Sequence, residues 1–276
     1  MTHAAGFAPL IDMFASAEQI ADRYGLTDPQ LRDAFRRQVV MSLAGAYLEG
    51  CATTVETPDW VPYIPYYLPR SGPNPDSTYK FAPVEPHGVY RLEGAVGTEI
   101  IATVTLRQGG AHLGRRCTGR VDEIDLLSLP RDATGRFSFI LSAERPEGYD
   151  GAWFHLAPQT ECLMLRHVTK TADQTEGHCG LERLDRAAGA IAPAPGEVGE
   201  RMQRMAEYVL AQVEFLPGYL EKIRAMGADK DFVVDEQSEY GGLVSQLYHF
   251  YLFDLEPGEA PVLGADGPGA CEYWGV

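Results

Sequence analysis

Apolar positions recur at helical spacing near the start of the chain. In residues 10–24 they fall on one face of a helix, a pattern that predicts an amphipathic helix. A second helix is expected to begin where Thr27 or Asp28 can cap it and Pro29 fits its first turn. Together these patterns predict an N-terminal helical segment over residues 1–54.

Short apolar runs separated by turn residues follow in the middle of the chain, and this pattern is typical of β-strands. Strands are predicted at residues 88–92, 99–106, 121–129, 137–142, 162–168 and 180–184. Residues 132–135 form a turn signal between two of these strands and predict a hairpin. Because no helical pattern separates the runs, we expect antiparallel pairing.

The last third of the chain opens with a proline-rich linker before a helical pattern. One helix is predicted over residues 197–215 and a shorter one from Pro217, together forming a helical insertion at about residues 195–227. Further strands are predicted at residues 243–253, 260–263 and 271–276. The predicted class is α+β, with an antiparallel β-sandwich-like domain over residues 55–276 that follows the N-terminal helices.

Charge and motif content narrow the range of partners. The 276 residues carry a formal net charge of −16, so nucleic acid and anionic membranes are not expected as partners. Apolar runs are too short to span a bilayer and the first residues lack a signal-peptide pattern, which predicts a cytoplasmic location. The five cysteines show no CxxC pair, so reduced thiols are expected rather than a zinc site.

Several segments occur in an order that points to one family. They are residues 72–79 (GPNPDSTY), 90–94 (YRLEG), 135–142 (GRFSFILS), 153–158, 163–166 (LMLR), 181–184 (LERL), 248–260 and 273–274 (YW). In this order they resemble the bacterial family called domain of unknown function 1214, over about residues 55–276. The resemblance implies a β-sandwich or jelly-roll-like architecture and no established activity. It also implies that the family's strands beyond the Tyr-Trp element are missing here.

The polar segment 74–79 is the first candidate for chemistry. It supplies Asp76 and Tyr79 as candidate catalytic residues for proton transfer, and Asn74 as a candidate substrate-binding residue. Asn and Asp next to proline are also good turn formers, because their side chains bond to their own backbone. The sequence therefore leaves a ligand-contacting loop and a purely structural turn open.

An aromatic run precedes the polar segment. Trp60, Tyr63 and Tyr66 lie in a proline-rich loop, where regular core packing is not expected. Aromatic side chains in such a loop can line a pocket for a partly apolar ligand. These three residues are therefore candidate substrate-binding residues.

Two arginines are also candidate substrate-binding residues. Arg91 and Arg166 lie in predicted strands, and a buried arginine is costly unless it is paired. Asp76 or Glu182 could pair with one of them as a structural ion pair. Alternatively, either guanidinium could hold a substrate carboxylate through two hydrogen bonds.

Histidines complete the candidate chemistry. His112 is a candidate general base, because it lies in a glycine-rich loop after a predicted strand. His155 and His167 fall on strands expected to be neighbours, but a metal would need a third ligand and no metal site is predicted. No phosphate-loop, dinucleotide or nucleophile-elbow motif occurs, so no organic cofactor is predicted.

Three functions remain open on this basis. The first is a cofactor-independent enzyme, a lyase, isomerase or hydrolase, acting on a small, partly apolar metabolite that carries a carboxylate. The second is a non-catalytic module that binds carbohydrate or lipid by aromatic stacking and burial. The third is an interaction protein that forms a homo-oligomer through its terminal strand at residues 271–276.

Overall fold

A computed structural model describes residues 6–70, 73–186, 194–235, 247–264, 269, 271 and 273–274. Within these ranges the protein is a mixed α+β molecule with three α-helices and several sheets of mainly antiparallel strands. No sheet in these ranges closes into a barrel. The α+β class predicted from the sequence is confirmed.

Two helices lead into the sheets. Helix α1 spans Ala8–Arg23, and α2 spans Pro29–Tyr47. The carboxylate of Asp28 caps α2 by accepting a hydrogen bond from the Leu31 N–H at 2.9 Å, as the sequence predicted. The chain then continues into a π-helical turn, Leu48–Ala52, in which the side chain of Glu49 is fully buried. Such turns are frequent at functional sites.

Helix α3 spans Glu197–Ala225 without interruption. The predicted division into two helices at Pro217 is therefore wrong. Proline removes one helical hydrogen bond and crowds the preceding turn, but α3 is anchored on both sides of it. Val213 before the proline and Tyr219 after it are both buried, so tertiary packing outweighs the local penalty.

Eleven strands form three sheets in the described part of the chain. They are β1 (Val61–Pro62), β2 (Ser77–Pro83), β3 (Tyr90–Ala95), β4 (Ile101–Gly110), β5 (Arg115–Asp125), β6 (Arg136–Ser142), β7 (Ala152–His155), β8 (Cys162–Val168), β9 (His178–Arg183), β10 (Val233–Asp235) and β11 (Tyr248–Phe250). One sheet has the order β1-β2-β8-β4-β5, the second has the order β7-β6-β3-β9, and β10 pairs with β11. All pairs are antiparallel except β6 with β7.

The largest hydrophobic core draws side chains from both larger sheets. Leu92 and Phe139 belong to the four-stranded sheet, whereas Val104 and Leu165 belong to the five-stranded sheet, and all four are fully buried. Burial of such side chains stabilises the fold by about 1.5–3 kcal/mol each. The two sheets therefore share one core.

A second core joins the helices to the turn that follows β4. It contains Met13 of α1, Val39 of α2 and Val209 of α3, together with Ala111 of that turn. The N-terminal helices thus pack against the predicted helical insertion. This packing brings the N-terminal half of α3 next to the connection between β4 and β5.

The predicted hairpin at residues 132–135 is wrong. The turn itself is present, and the Asp132 carboxylate accepts hydrogen bonds from the N–H groups of Thr134 and Arg136. However, β5 before it and β6 after it belong to different sheets. A turn signal predicts a local reversal of the chain but not which strands pair across it.

The C-terminal strands also differ from prediction. Of the segment 243–253, residues 243–246 lie outside the described residues and only Tyr248–Phe250 is a strand in the rest. Residues 260–263 are irregular, in keeping with Pro261, which cannot donate to a sheet ladder. The described positions 271, 273 and 274 are not in a strand, and the remainder of that segment lies outside the described residues. Strands β1, β2, β7 and β10 were not predicted.

Candidate functional site

A cleft lies between the π-helical turn that follows α2, the turn after β4 and the N-terminal half of α3. Its volume is about 320 Å³, enough for a small metabolite. Its walls combine apolar side chains, hydroxyl groups and charged groups. The lining residues are Gly50, Thr53, Thr54, Val55, Glu56, Val84, Glu85, Pro86, His112, Leu113, Glu161, Glu197, Arg201 and Arg204.

His112, the predicted general base, lies in this lining. It belongs to a short 3₁₀ helix, Ala111–Leu113, that joins β4 to β5. Gly110 precedes this helix with a φ of 132°, and a Cβ there would lie 2.7 Å from His112 Nδ1. The imidazole ring packs 6.0 Å from the ring of Phe81. The glycine-rich loop predicted from the sequence is therefore a tightly packed turn.

The protonation state of His112 follows from its surroundings. Burial lowers the pKa of the imidazole to about 4. The negative charge of Glu161 opposes this shift, and the positive charges of Arg204 and Arg115 add to it. The ring donates a hydrogen bond to the backbone of Glu161. Among the described residues the buried Nδ1 has no hydrogen-bond partner. A neutral ring whose other nitrogen carries the proton has a lone pair at Nδ1, so it can accept a proton there.

Two arginines on α3 face the same cleft. Arg201 is held by Glu197 one turn earlier, with Nε 3.0 Å from Oε1, and its Nη1 lies 3.5 Å from the carbonyl oxygen of Cys51. Arg204 is less engaged, because its Nη1 lies 4.0 Å from the nearest oxygen of Glu200. Within the described ranges, its buried Nε has no hydrogen-bond partner. Arg204 is therefore the cation that a ligand can engage most readily.

Four glutamates also line the cleft, and each has a cationic partner. The pairs are Glu56 with Arg186 at 3.7 Å, Glu85 with Arg186 at 2.8 Å, Glu161 with Arg115 at 2.6 Å, and Glu197 with Arg201 at 3.0 Å. These contacts offset the negative charge that the lining would otherwise carry. Arg204 is then the cation of the lining with the longest contact to a carboxylate, and it shares the cleft with the neutral imidazole of His112.

The predicted polar segment lies at a different place, at the start of β2. The Asp76 carboxylate accepts a hydrogen bond from the Tyr273 hydroxyl at 2.9 Å, and the Asn74 amide donates to the same hydroxyl at 2.9 Å. Asn74 Oδ1 also accepts from the backbone N–H of Asp76 at 2.9 Å, the side-chain-to-backbone bond of an Asx turn. Neither residue is in the lining of the cleft.

Tyr79 and Arg166 lie side by side near this segment. They are register partners on β2 and β8, and the Arg166 guanidinium carbon lies 5.0 Å from the centre of the Tyr79 ring. Both side chains face the same side of the five-stranded sheet, because cross-strand partners share a face. The structure thus brings four predicted residues into one neighbourhood, and all four lie away from the cleft.

The other predicted binding residues are dispersed. The exposed Arg91 forms an ion pair with Glu182, the structural alternative that the sequence left open. Trp60 packs against the main core, and Tyr63 is buried. Tyr66 is 88% exposed and meets Tyr67 edge to face at 5.3 Å. None of the four is in the lining of the cleft.

His155 and His167 were predicted to fall on neighbouring strands. This prediction is wrong, because β7 and β8 belong to different sheets. His167 is instead buried beside Glu99, with Nδ1 3.3 Å from Oε1. In the described part of the chain no three His, Cys, Asp or Glu side chains are grouped as metal ligands. Among the same residues no helix is both long and apolar enough to cross a membrane.

Sequence reasoning missed Arg201 and Arg204. Both lie in the predicted helix 197–215, three positions apart and hence on one face. A pair of arginines at that spacing was the available signal, but exposed helices carry such pairs for solubility as well. The pair becomes a candidate for function only because α3 packs against the turn that carries His112.

No known protein family matches the chain, and no curated protein matches it. Among solved structures, the fold is similar to that of an uncharacterised protein from Burkholderia cenocepacia, with a TM-score of 0.72 and 19% sequence identity. The match covers 87% of this chain and 68% of the other. At this identity the likeness shows the fold alone, so function has to be argued from the site.

Proposed function

We propose that this protein is a cofactor-independent enzyme that binds a small, partly apolar carboxylate in the cleft and transfers a proton at His112. The observation that carries the proposal is the joint position of His112 and Arg204 in one lining. A ligand that pairs with Arg204 would occupy the same cleft as the imidazole of His112. The apolar side chains Val84 and Leu113 line the same space, which suits a ligand with an apolar part.

Charge favours an anionic ligand. The glutamates of the lining are already paired, whereas Arg204 has only a 4.0 Å contact with Glu200. A guanidinium binds a carboxylate through charge-assisted hydrogen bonds. Such bonds are stronger in a partly enclosed cleft than in bulk water.

An anionic ligand would also prepare His112 for its role. In the free protein, burial and the charge of Arg204 hold the pKa of His112 at about 4. A bound carboxylate would offset the charge of Arg204 and raise that pKa. A base whose pKa lies closer to the working pH transfers protons more effectively. Lyase, isomerase and hydrolase reactions can all begin with this step.

Binding is the first test. Benzoate, a partly apolar carboxylate, is titrated by calorimetry into the full chain and into Arg204→Met, which keeps the aliphatic stem but loses the charge. We expect the variant to bind at least about 10-fold more weakly, since a hydrogen bond to a charged group contributes about 1.5–3 kcal/mol. Arg23→Met is the matched control, because Arg23 pairs with Glu214 outside the cleft lining. Equal affinity of wild type and Arg204→Met would refute the anion site.

Proton transfer is the second test. A panel of small carboxylates is incubated with the protein in deuterated water, and exchange of carbon-bound hydrogen is followed by NMR. We expect His112→Gln to retain binding but to lose exchange by about 10²–10⁴-fold. Binding without exchange in the wild type would leave a binding protein and remove the catalytic part of the proposal.

A non-catalytic binding module is the second candidate. The exposed edge-to-face pair of Tyr66 and Tyr67 favours it, since exposed aromatic rings can stack on sugars. Retention on immobilised polysaccharide that is lost in Tyr66→Ala would support this alternative. Retention that is unchanged in Tyr66→Ala, or absent in the wild type, would count against it.

The proposal also covers the fold type, the family and the cellular location of the protein. The core shared by the two larger sheets supports a β-sandwich of jelly-roll type. The order of the sequence motifs supports a relationship to the domain of unknown function 1214 family. The acidic composition supports a cytoplasmic protein whose partner is a small molecule rather than nucleic acid or membrane. A homo-oligomer is a further proposal, and its mass in solution tests it.

A further inference from the structure

Two buried cysteines from non-adjacent strands lie in contact. Cys117 of β5 and Cys162 of β8 have their Sγ atoms 3.0 Å apart, about 1 Å longer than the S–S bond of a disulfide. Their exposures are 3% and 0%. Strand β4 lies between β5 and β8 in the sheet, so regular strand spacing of about 4.8 Å would keep the two thiols well apart.

An irregularity in β4 explains the contact. The β4–β5 register shifts at several points between Leu106 and Gly110, and such bulges bend and twist a strand. Gly109 has a φ of 80°, and a Cβ there would lie 2.0 Å from the carbonyl oxygen of Arg116. Position 109 therefore has to be glycine. With no side chain at this point of β4, Cys117 can reach across to Cys162.

The surroundings favour a thiolate at one of the two sulfurs. Arg107 lies beside the pair and donates a hydrogen bond to the Cys117 carbonyl oxygen at 3.2 Å. A hydrogen bond from the Cys162 thiol lowers the pKa of Cys117, and the charge of Arg107 acts in the same direction. Burial raises the pKa of Cys162. Either thiol can donate a hydrogen bond to the other, so one sulfur can act as the nucleophile and the other as its protonated partner. Cys117, whose carbonyl oxygen binds Arg107, is taken as the nucleophile.

We propose that Cys117 and Cys162 form a redox-active dithiol that hydrogen peroxide converts to a disulfide. The Cys117 thiolate attacks one peroxide oxygen, the O–O bond breaks, and a sulfenic acid and hydroxide form. The Cys162 sulfur then attacks the Cys117 sulfur, the S–O bond breaks, and hydroxide leaves with the thiol proton as water. The two cysteines lose two electrons, and these reduce the peroxide. Oxidation occurs when local opening admits the water-sized oxidant.

The test uses the full chain carrying Cys271→Ser, which removes the exposed cysteine and with it intermolecular disulfides. After treatment with hydrogen peroxide, free thiols are alkylated and the digest is mapped by mass spectrometry without reduction. We expect a peptide pair joined through Cys117 and Cys162, and a fall from four free thiols to two. Oxidation should also raise Tm by several degrees, because the bond closes a long loop, and dithiothreitol should reverse the rise.

Two variants in the same background provide the controls. Cys179→Ala removes a buried thiol whose partner is the Gly180 carbonyl oxygen at 3.6 Å, and we expect the same disulfide to form. Cys162→Ala should lose both the linked peptides and the rise in Tm. Four free thiols after treatment, or a disulfide to Cys51 instead, would overturn the proposal. The mass map of the Cys271→Ser protein decides this even if Cys162→Ala fails to fold.

Discussion

Arg70 and Glu49 form an ion pair in the interior, where their side chains are only 1% and 0% exposed. Arg70 also donates hydrogen bonds to the Tyr208 hydroxyl at 2.8 Å and to the Tyr63 carbonyl oxygen at 2.7 Å. The cluster ties the π-helical turn to α3 and to the loop before β2. Tyr63, a predicted ligand contact, is therefore part of this internal support. Gly50 of the cleft lining follows Glu49 directly, and Thr53 comes four positions after Glu49, so the pair also holds one wall of the cleft.

The two halves of this pair should respond differently to mutation. Glu49→Gln leaves a buried guanidinium that cannot lose its proton, and we expect a loss of about 3–5 kcal/mol in the free energy of unfolding. Arg70→Met leaves a carboxyl group that can neutralise itself, since burial raises the pKa of Glu49 and Arg70 counteracts that shift. We expect a smaller loss in Arg70→Met, and one that shrinks as the pH is lowered. Urea unfolding at pH 5 and pH 7.5 measures both losses.

The double variant Glu49→Gln/Arg70→Met is the internal control. It removes both charges, so it should be more stable than Glu49→Gln alone. Additive losses in the double variant would show that the two side chains do not act as a pair.

Stability should depend on pH through His112 and His167. Burial lowers the pKa of both imidazoles, that of His112 to about 4. The unfolded chain takes up these protons below about pH 6.5, whereas the folded protein does so only at lower pH. The free energy of unfolding should therefore fall as the pH drops from about 6.5 towards 4. Close to His167, Glu99 and Glu176 raise its pKa and Lys80 lowers it, and none of these reverses the sign.

His112→Gln removes the contribution of His112 to the pH dependence of the free energy of unfolding. Between pH 7 and pH 5 we expect the variant to lose less stability than the wild type, by on the order of 1 kcal/mol. His87→Gln changes an exposed histidine and should follow the wild-type curve. A His112→Gln curve that coincides with the wild-type curve would show that His112 is not buried as described.

Two glycine-to-alanine substitutions should have opposite effects. At Gly97 a Cβ would lie 2.1 Å from the Thr175 carbonyl oxygen and 2.6 Å from Glu99 Oε2, so Gly97→Ala should destabilise by about 2 kcal/mol or more. At Gly218, inside α3, a Cβ meets nothing within 4 Å, so Gly218→Ala should stabilise by about 0.5–1 kcal/mol. Thermal unfolding of the two variants gives the signs directly. A stable Gly97→Ala protein would contradict the tight packing around Glu99.

The features that could be predicted from sequence are local ones. The start of α2 follows from Asp28 and Pro29, which act within one turn. Strand β8 was predicted with its observed bounds, Cys162–Val168, because five of its seven residues are apolar. The cleft could not be predicted in this way. His112 and Arg204 are far apart in the sequence, and only the packing of α3 against the turn after β4 brings them together.

The same limit applies to the polar segment. Its turn was predictable, because Asn74 bonds to the backbone N–H of Asp76 two residues later. Its other partner, Tyr273, is separated from Asp76 by 197 positions. Sequence reasoning could therefore identify the polar groups but not the phenol that engages them.

That contact yields the last prediction. If Asp76 and Tyr273 serve chiefly to hold the C-terminal part of the chain against β2, Tyr273→Phe should lower the free energy of unfolding by about 1–2 kcal/mol. The hydroxyl is hydrogen-bonded to both Asp76 and Asn74, and one such bond contributes about 1 kcal/mol net. Cleavage near the C-terminus by a dilute protease should become faster. Tyr66→Phe, at a position that is 88% exposed, is the matched control and should change neither quantity.

A double-mutant cycle tests whether Asp76 and Tyr273 stabilise the fold through the hydrogen bond between them or independently of each other. Asp76→Ala should cost somewhat less than Tyr273→Phe, which also removes the hydrogen bond from Asn74. The two changes together should cost little more than Tyr273→Phe alone, since the hydrogen bond between Asp76 and Tyr273 is lost in both. Benzoate binding should be unaffected in all three proteins, because neither residue lines the cleft. Additive losses would show that the two side chains stabilise the fold independently. Weaker benzoate binding in Asp76→Ala would show that the polar segment takes part in ligand recognition.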